Sequence, residues 1–196
     1  QGSIRMKVSS KTDIGRSRIE NQYNYRSGVF PDGTAWAVVC DGMGGGQDGK
    51  LASSIAVECI EEQFYTGLKK RPPDKELKEL MENSIQMANT EVFTRSGLGT
   101  RVMGTTVVCA VIRGGLLHVA HVGDSRAYLF QQDQLNLITH DHSMVQELLD
   151  QGVISIREAL HHPDKNVITR ALGVEEHLQV EYSVRPVAPG SLLLLC

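Results

Sequence analysis

Residues 103–138 read MGTTVVCAVIRGGLLHVAHVGDSRAYLFQQDQLNLI, and this stretch decides the fold class. Thr105 to Ile112 is a β-branched run, Gly114-Gly115 is a hairpin turn, and Leu116 to Val122 is a second apolar run of strand length. Ala127 to Phe130 and Gln134 to Ile138 follow as two more strands. Short strands joined by tight turns predict an antiparallel sheet, since a parallel pair needs a long crossover.

Upstream of this block the period changes. Leu51, Ile55 and Cys59, with Ala52, Ala56 and Ile60, recur at four-residue spacing and predict a helix over Leu51 to Leu68. Pro72-Pro73 ends it, and Asp74 is the expected N-cap of a second helix reaching about Arg95. Leu77, Leu80, Met81, Ile85, Ala88 and Val92 form its apolar stripe. Two long helices with a short link predict an antiparallel pair. Before them, Met6 to Thr12, Gln22 to Val29 and Ala35 to Cys40 read as strands, with a turn at Pro31-Asp32-Gly33. After the block, Ser143 to Gln151 and Ser155 to Leu160 read as short helices. Val167 to Leu172, Leu178 to Val184 and Ser191 to Cys196 read as further strands. This order is α+β with a largely antiparallel sheet, not an alternating βαβ fold.

The chain has 196 residues and a formal net charge of −3, from 20 Lys+Arg against 23 Asp+Glu. This balance argues against a broad basic surface for nucleic acid or anionic membrane. No apolar run approaches the ~18 residues of a membrane span, and no secretory h-region follows the N-terminus, so a cytoplasmic protein is expected. Cys40, Cys59, Cys109 and Cys196 each sit in an apolar segment without a C-x-x-C pair, which predicts four small buried thiols. Residues 1–5 read as a tag remnant, leaving 6–196 as one domain. The run Leu192 to Cys196 reads as a strand buried on both faces, so a domain cut at its C-terminus is expected.

Four motifs carry candidate chemistry. Asp41-Gly42-Met43-Gly44-Gly45-Gly46 lifts an aspartate out of a buried strand into a glycine loop. A carboxylate there is held rigidly, as a hard metal ion requires, and glycines let a backbone carbonyl approach. A tight strand–helix connection capped by Asp41 is the bland alternative. A phosphate loop over Gly44–Lys50 is disfavoured, because Leu51 stands where Ser or Thr would ligate magnesium. Gly123-Asp124-Ser125-Arg126 places a second aspartate at a strand end, as a metal carboxylate or as a turn-fixing residue. His140-Asp141-His142-Ser143 suggests zinc, but no outside His or Cys cluster stands at ligand spacing, so Asp141 or Ser143 is read as a helix N-cap. His161-His162 before Pro163 reads as a solvated turn. Arg16 and Arg18 supply guanidinium forks suited to phosphate.

Together these residues resemble one family, the metal-dependent serine/threonine protein phosphatases of the PPM type, also called PP2C, in their bacterial form. The matching stretches are TDIGRSRIENQ (12–22), AVVCDGMGG (37–45), MGTTVVCAVI (103–112), LHVAHVGDSRAYLF (117–130), ITHDHSMVQELLDQGVIS (138–155), NVITRALG (166–173) and PGSLLLLC (189–196). The resemblance implies a two-layer antiparallel β-sandwich flanked by antiparallel helix pairs. It implies hydrolysis of phosphoserine and phosphothreonine in proteins, with two Mn²⁺ or Mg²⁺ ions holding a bridging hydroxide. Phosphorylated targets of a Ser/Thr kinase are the expected partners. Asp41 would bridge both ions, the Gly42 carbonyl would complete one shell, Asp124 would join a further metal site, and Arg18 would grip the substrate phosphate. Thr105 and Ser125 would support the cleft. Two departures stand out. Tyr23 occupies the position of the usual carboxylate after Asn21-Gln22, and the family's later Ser-Asp-Gly and Asp-Asn motifs would follow Cys196. On that reading the 196 residues alone are inactive and self-associate through the 191–196 strand. The alternative function is a pseudophosphatase that binds partners without catalysis.

Overall fold

The computed structural model describes residues 6–16, 20–45, 47–97 and 103–196. In chain order the elements are β1 (Tyr23–Val29), β2 (Ala35–Met43), α1 (Asp48–Lys69), α2 (Asp74–Gly97), β3 (Gly104–Thr105), β4 (Val107–Arg113), β5 (Leu116–Val122), β6 (Ala127–Gln131), β7 (Gln134–Leu137), α3 (Met144–Asp150), α4 (Ile156–His161), β8 (Glu181–Pro186) and β9 (Leu192–Leu195). The main sheet has the order β1-β2-β4-β5-β8, with β3 continuing beside the end of β2. A second sheet has the order β7-β6-β9. Every strand pair is antiparallel.

The alternation of β4 explains how two layers are built. Val107, Cys109 and Val111 face the helices, where they meet Ala56, Ile60 and Phe64 of α1 and Met81, Ile85 and Val92 of α2. Val108 and Ala110 face the other way, onto Ala127 and Leu129 of β6. Side chains alternate across a strand, so a sheet covered on both faces must be apolar at every covered position, and β4 is apolar from Val107 to Ile112. The Trp36 and Phe64 rings meet edge to face, 5.8 Å between centroids. The four-residue spacing read in residues 51–68 and 77–92 lies on the faces that α1 and α2 turn to this core.

Several elements differ from the sequence expectation. Residues 7–16 are exposed and form no strand, because their loose alternation offers no apolar face to bury. Val167 to Leu172 makes only single bridges, Ser143↔Ile168 and Thr105↔Leu172, and the Thr169 amide turns to the His142 carbonyl instead. β8 starts at Glu181 because the Leu178 amide is taken by the Gln86 side chain. Asp74 lies inside the first turn of α2. The strand expected over Thr105 to Ile112 is interrupted at Thr106. β9 is not buried on both faces. Leu193 and Leu195 pack inward, whereas Leu192 and Leu194 are 66% and 54% exposed. Of the thiols only Cys40 and Cys109 are buried, with Cys59 half-buried and Cys196 exposed. Burial pushes the Cys109 thiol up to about 12, which leaves it inert. Among the described residues no helix is long and apolar enough to cross a membrane.

Candidate metal centre and active site

β2 carries Asp41 past the last row of the main sheet. Val39 pairs with Val108, and Val108 pairs with His121, so β2, β4 and β5 are level there. Asp41 lies two residues beyond that row on β2, and Asp124 three residues beyond it after β5. Both candidate carboxylates therefore leave the sheet at one end.

The backbone of Asp41 is tied down on both sides. Its amide donates to Thr106 Oγ1 at 3.0 Å, and its carbonyl accepts from the Thr106 amide at 2.9 Å and from Thr105 Oγ1 at 3.0 Å. Gly42 follows, with its amide on the Gln22 carbonyl. A Cβ built on Gly42 would lie 1.8 Å from the Gly49 carbonyl oxygen, so the loop closes onto α1 backbone to backbone and only glycine fits. Tyr23 stands directly across from Asp41 on β1, and the two side chains leave the same face. The two donors proposed for this corner, the Asp41 carboxylate and the adjacent Gly42 carbonyl, are hard oxygens. That set suits Mg²⁺ or Mn²⁺.

The Asp124 turn is anchored from the other side. Gly123 takes φ +104°, and its amide donates to His142 Nδ1 while its carbonyl accepts from the His142 amide. Arg126 Nε holds both Asp141 oxygens at 2.9 and 3.0 Å, and its Nη1 reaches the Tyr128 hydroxyl. The Asp124 carboxyl is pushed above its ordinary value, first by burial and then by the Asp141 charge. Ser125 touches Thr106, hydroxyl to hydroxyl, at 2.6 Å.

Three further residues, His121, His142 and Glu181, place their ligand atoms within 4.8 Å of one another. The sequence offered no ligand spacing for them because the β5–β8 ladder, pairing His121 with Glu181, brings them together. The two imidazoles stack at 4.8 Å, and His121 Nε2 lies 2.8 Å from the His140 carbonyl. The Gly123 amide on Nδ1 fixes the tautomer of His142. Its Nε2 then carries the proton, facing Glu181 at 3.3 Å with the Arg170 guanidinium 3.4 Å away. A protonated nitrogen beside a cation does not ligate metal, so this cluster braces the turn. Burial lowers the pKa of His142, and the neighbouring His121 adds to that. Between the two N-cap candidates, Ser143 caps α3, and Asp141 serves Arg126.

The wall behind Thr105 depends on α2. Asn89 is fully buried, and its Nδ2 donates to the Glu175 and Glu176 carbonyls while its Oδ1 accepts from the Gly173 amide. Gly173 adjoins Leu172, whose amide and carbonyl bracket Thr105. Neither Asn89 nor Thr106 stood out in the sequence. The period-4 pattern marked the α2 face on which Asn89 lies, but a buried amide has no signature of its own. Arg18 lies outside the described residues, and Arg16 is exposed.

A family model for protein phosphatase 2C matches residues 15–168. The chain is 38% identical over 195 residues to the serine/threonine phosphatase Stp of Listeria innocua, covering 97% of this chain and 76% of that protein. It superposes on the crystal structure of the Mycobacterium tuberculosis serine/threonine phosphatase PstP/Ppp with a TM-score of 0.82 at 28% identity, over 94% of this chain and 75% of that one. The catalytic domain of PstP in complex with two manganese ions superposes with a TM-score of 0.78 at 27% identity, over 94% and 74%. On the strength of the sequence match alone, and in agreement with the fold, the chain belongs to the protein phosphatase 2C family.

Proposed function

We propose that the chain removes phosphate from phosphoserine and phosphothreonine residues of other proteins with the help of Mn²⁺ or Mg²⁺. The observation that carries this is the Asp41–Gly42 corner. There a strand-end carboxylate, fixed through both backbone groups, stands next to a carbonyl that only glycine could present. Asp41 and Gly42 are the residues to hold the ions, with Asp124 as a further carboxylate from the neighbouring turn. What the ions supply when bound is charge neutralisation and a water acidic enough to attack phosphorus at neutral pH. Arg18 is the phosphate-gripping side chain, its fork matched to two phosphoryl oxygens. No observation here favours the pseudophosphatase alternative.

The relatives named as phosphatases support phosphoprotein substrates. By extension of that reading, the chain acts against a Ser/Thr kinase in a cytoplasmic setting. Hydrolysis of a phosphoserine peptide by the protein, with and without Mn²⁺, tests the function. Turnover indifferent to a chelator would overturn it. The chain is expected to associate with further copies of itself through β9. Among the described residues this edge strand has one partner, and it turns Leu192 and Leu194 outward. Light scattering that reports a clean monomer would exclude this association.

A further inference from the structure

The antiparallel ladder between β2 and the β3–β4 segment keeps one register throughout, from Val39↔Val108 to Gly42↔Thr105, which sets Thr106 opposite Asp41. The regular ladder fails at that pair. The Thr106 amide still donates to the Asp41 carbonyl, but the Asp41 amide turns to the Thr106 hydroxyl. The Thr106 carbonyl lies 3.0 Å from Thr105 Oγ1 instead, and shares that hydroxyl's single proton with the Asp41 carbonyl. One side-chain oxygen has thus replaced a backbone acceptor at the residue that presents the candidate metal carboxylate. The same oxygen lies 2.6 Å from Ser125 Oγ, adjacent in sequence to Asp124. Either hydroxyl can supply that proton, and Thr106 Oγ1 takes part in both bonds whichever does. Thr106 is 3% exposed and Ser125 is 7% exposed, so water does not substitute for either.

We infer that Thr106 is a positioning residue of the metal site: its hydroxyl orients Asp41 through the amide and couples Asp41 to the Asp124 turn through Ser125. The inference rests on the reading of Asp41 as a metal ligand. A buried two-bond link transmits displacement because neither end can exchange its partner for solvent. Residues that orient a ligand without touching the metal typically change its affinity by about 10–100-fold.

The competing explanation is packing. A Cβ on Gly123 would fall 2.6 Å from the Thr106 methyl, so this side chain also fills the space under the turn. Two substitutions separate the roles. Thr106→Val keeps the methyl and removes the hydroxyl, and Thr106→Ser does the reverse. In Mn²⁺ titration calorimetry on the protein, Thr106→Val is expected to raise Kd by about 10–100-fold. Thr106→Ser is expected to bind within about two-fold of the parent while melting at a lower temperature. Ser125→Ala should weaken binding less, and its effect should be non-additive with Thr106→Val. Parent-like Mn²⁺ affinity in Thr106→Val, or equal weakening in the Val and Ser variants, overturns the inference. If Thr106→Val does not fold, unchanged affinity in Ser125→Ala does so. Asp41→Asn run alongside tells the two readings apart. Retained binding there removes the ligand reading and this inference with it, whereas lost binding beside an unaffected Thr106→Val removes this inference alone.

Discussion

Asp41 and Asp124 leave neighbouring strands at one end of the main sheet, and the protein anchors them differently. At Asp41 the residue itself is fixed, its amide and carbonyl both held by the Thr105-Thr106 pair. At Asp124 the surroundings are fixed. His142 grips Gly123 from one side, and Arg126 is locked to Asp141 on the other. Asp141 and burial then raise the Asp124 carboxyl, so its charge costs something before any cation arrives. The contrast separates a carboxylate defined by geometry from one defined by its electrostatic environment. It also gives Asp124 an energetic reason to welcome a cation.

The strongest way to break this contrast is Asp41→Asn. Calorimetry should show Mn²⁺ binding lost altogether, since the amide keeps the geometry and removes the charge. Unchanged affinity would mean that the clamp at Thr106 serves some other end. Next in size is Arg18→Ala. If phosphate grip is separable from both aspartates, KM for a phosphopeptide rises about ten-fold while Mn²⁺ affinity and melting temperature stay put. A large fall in melting temperature at constant KM would make Arg18 structural. The smallest effect is expected of Asp124→Asn. A carboxyl whose folded pKa is raised lowers stability above that pKa, and the cost disappears as pH falls through it and the group protonates. The neutral variant should therefore melt about 1–3 °C higher than the parent at pH 7 without metal. The difference should vanish in acid. A lower melting temperature at pH 7 would show that the Asp124 charge is stabilised in the turn.

Legibility in the sequence followed how local the cause was. The helices over residues 51–68 and 74–95 and the hairpin at Gly114-Gly115 were readable, because period and turn chemistry are properties of short windows. Asp41 and Asp124 were readable as candidates for the same reason, each standing between an apolar run and a glycine-bearing turn. Residues 167–172 were not. Their apolar pattern is a strand's, but the amide partners belong to His142 and Thr105, and no local rule announces that. The burial of β9 was misjudged because four consecutive leucines conceal which two face inward. Thr106 escaped for a sharper reason. It sits in a β-branched run where strand pairing explains any threonine, and only the ladder shows its hydroxyl standing in for its carbonyl.

The Asn89 clamp has a consequence for the order in which the molecule assembles. Its bonds to Gly173, Glu175 and Glu176 join residues 84 to 87 positions apart. The loop carrying Leu172 finds these partners only after α2 has docked on the sheet, because an isolated α2 would leave Asn89 in water. The bracket around Thr105, and with it the seat of Asp41, therefore closes late, after the chain-closure entropy of that long loop has been met. Loosening α2 far from the corner should then open the corner first, which makes the Gly173 amide a reporter of the site's integrity in hydrogen exchange.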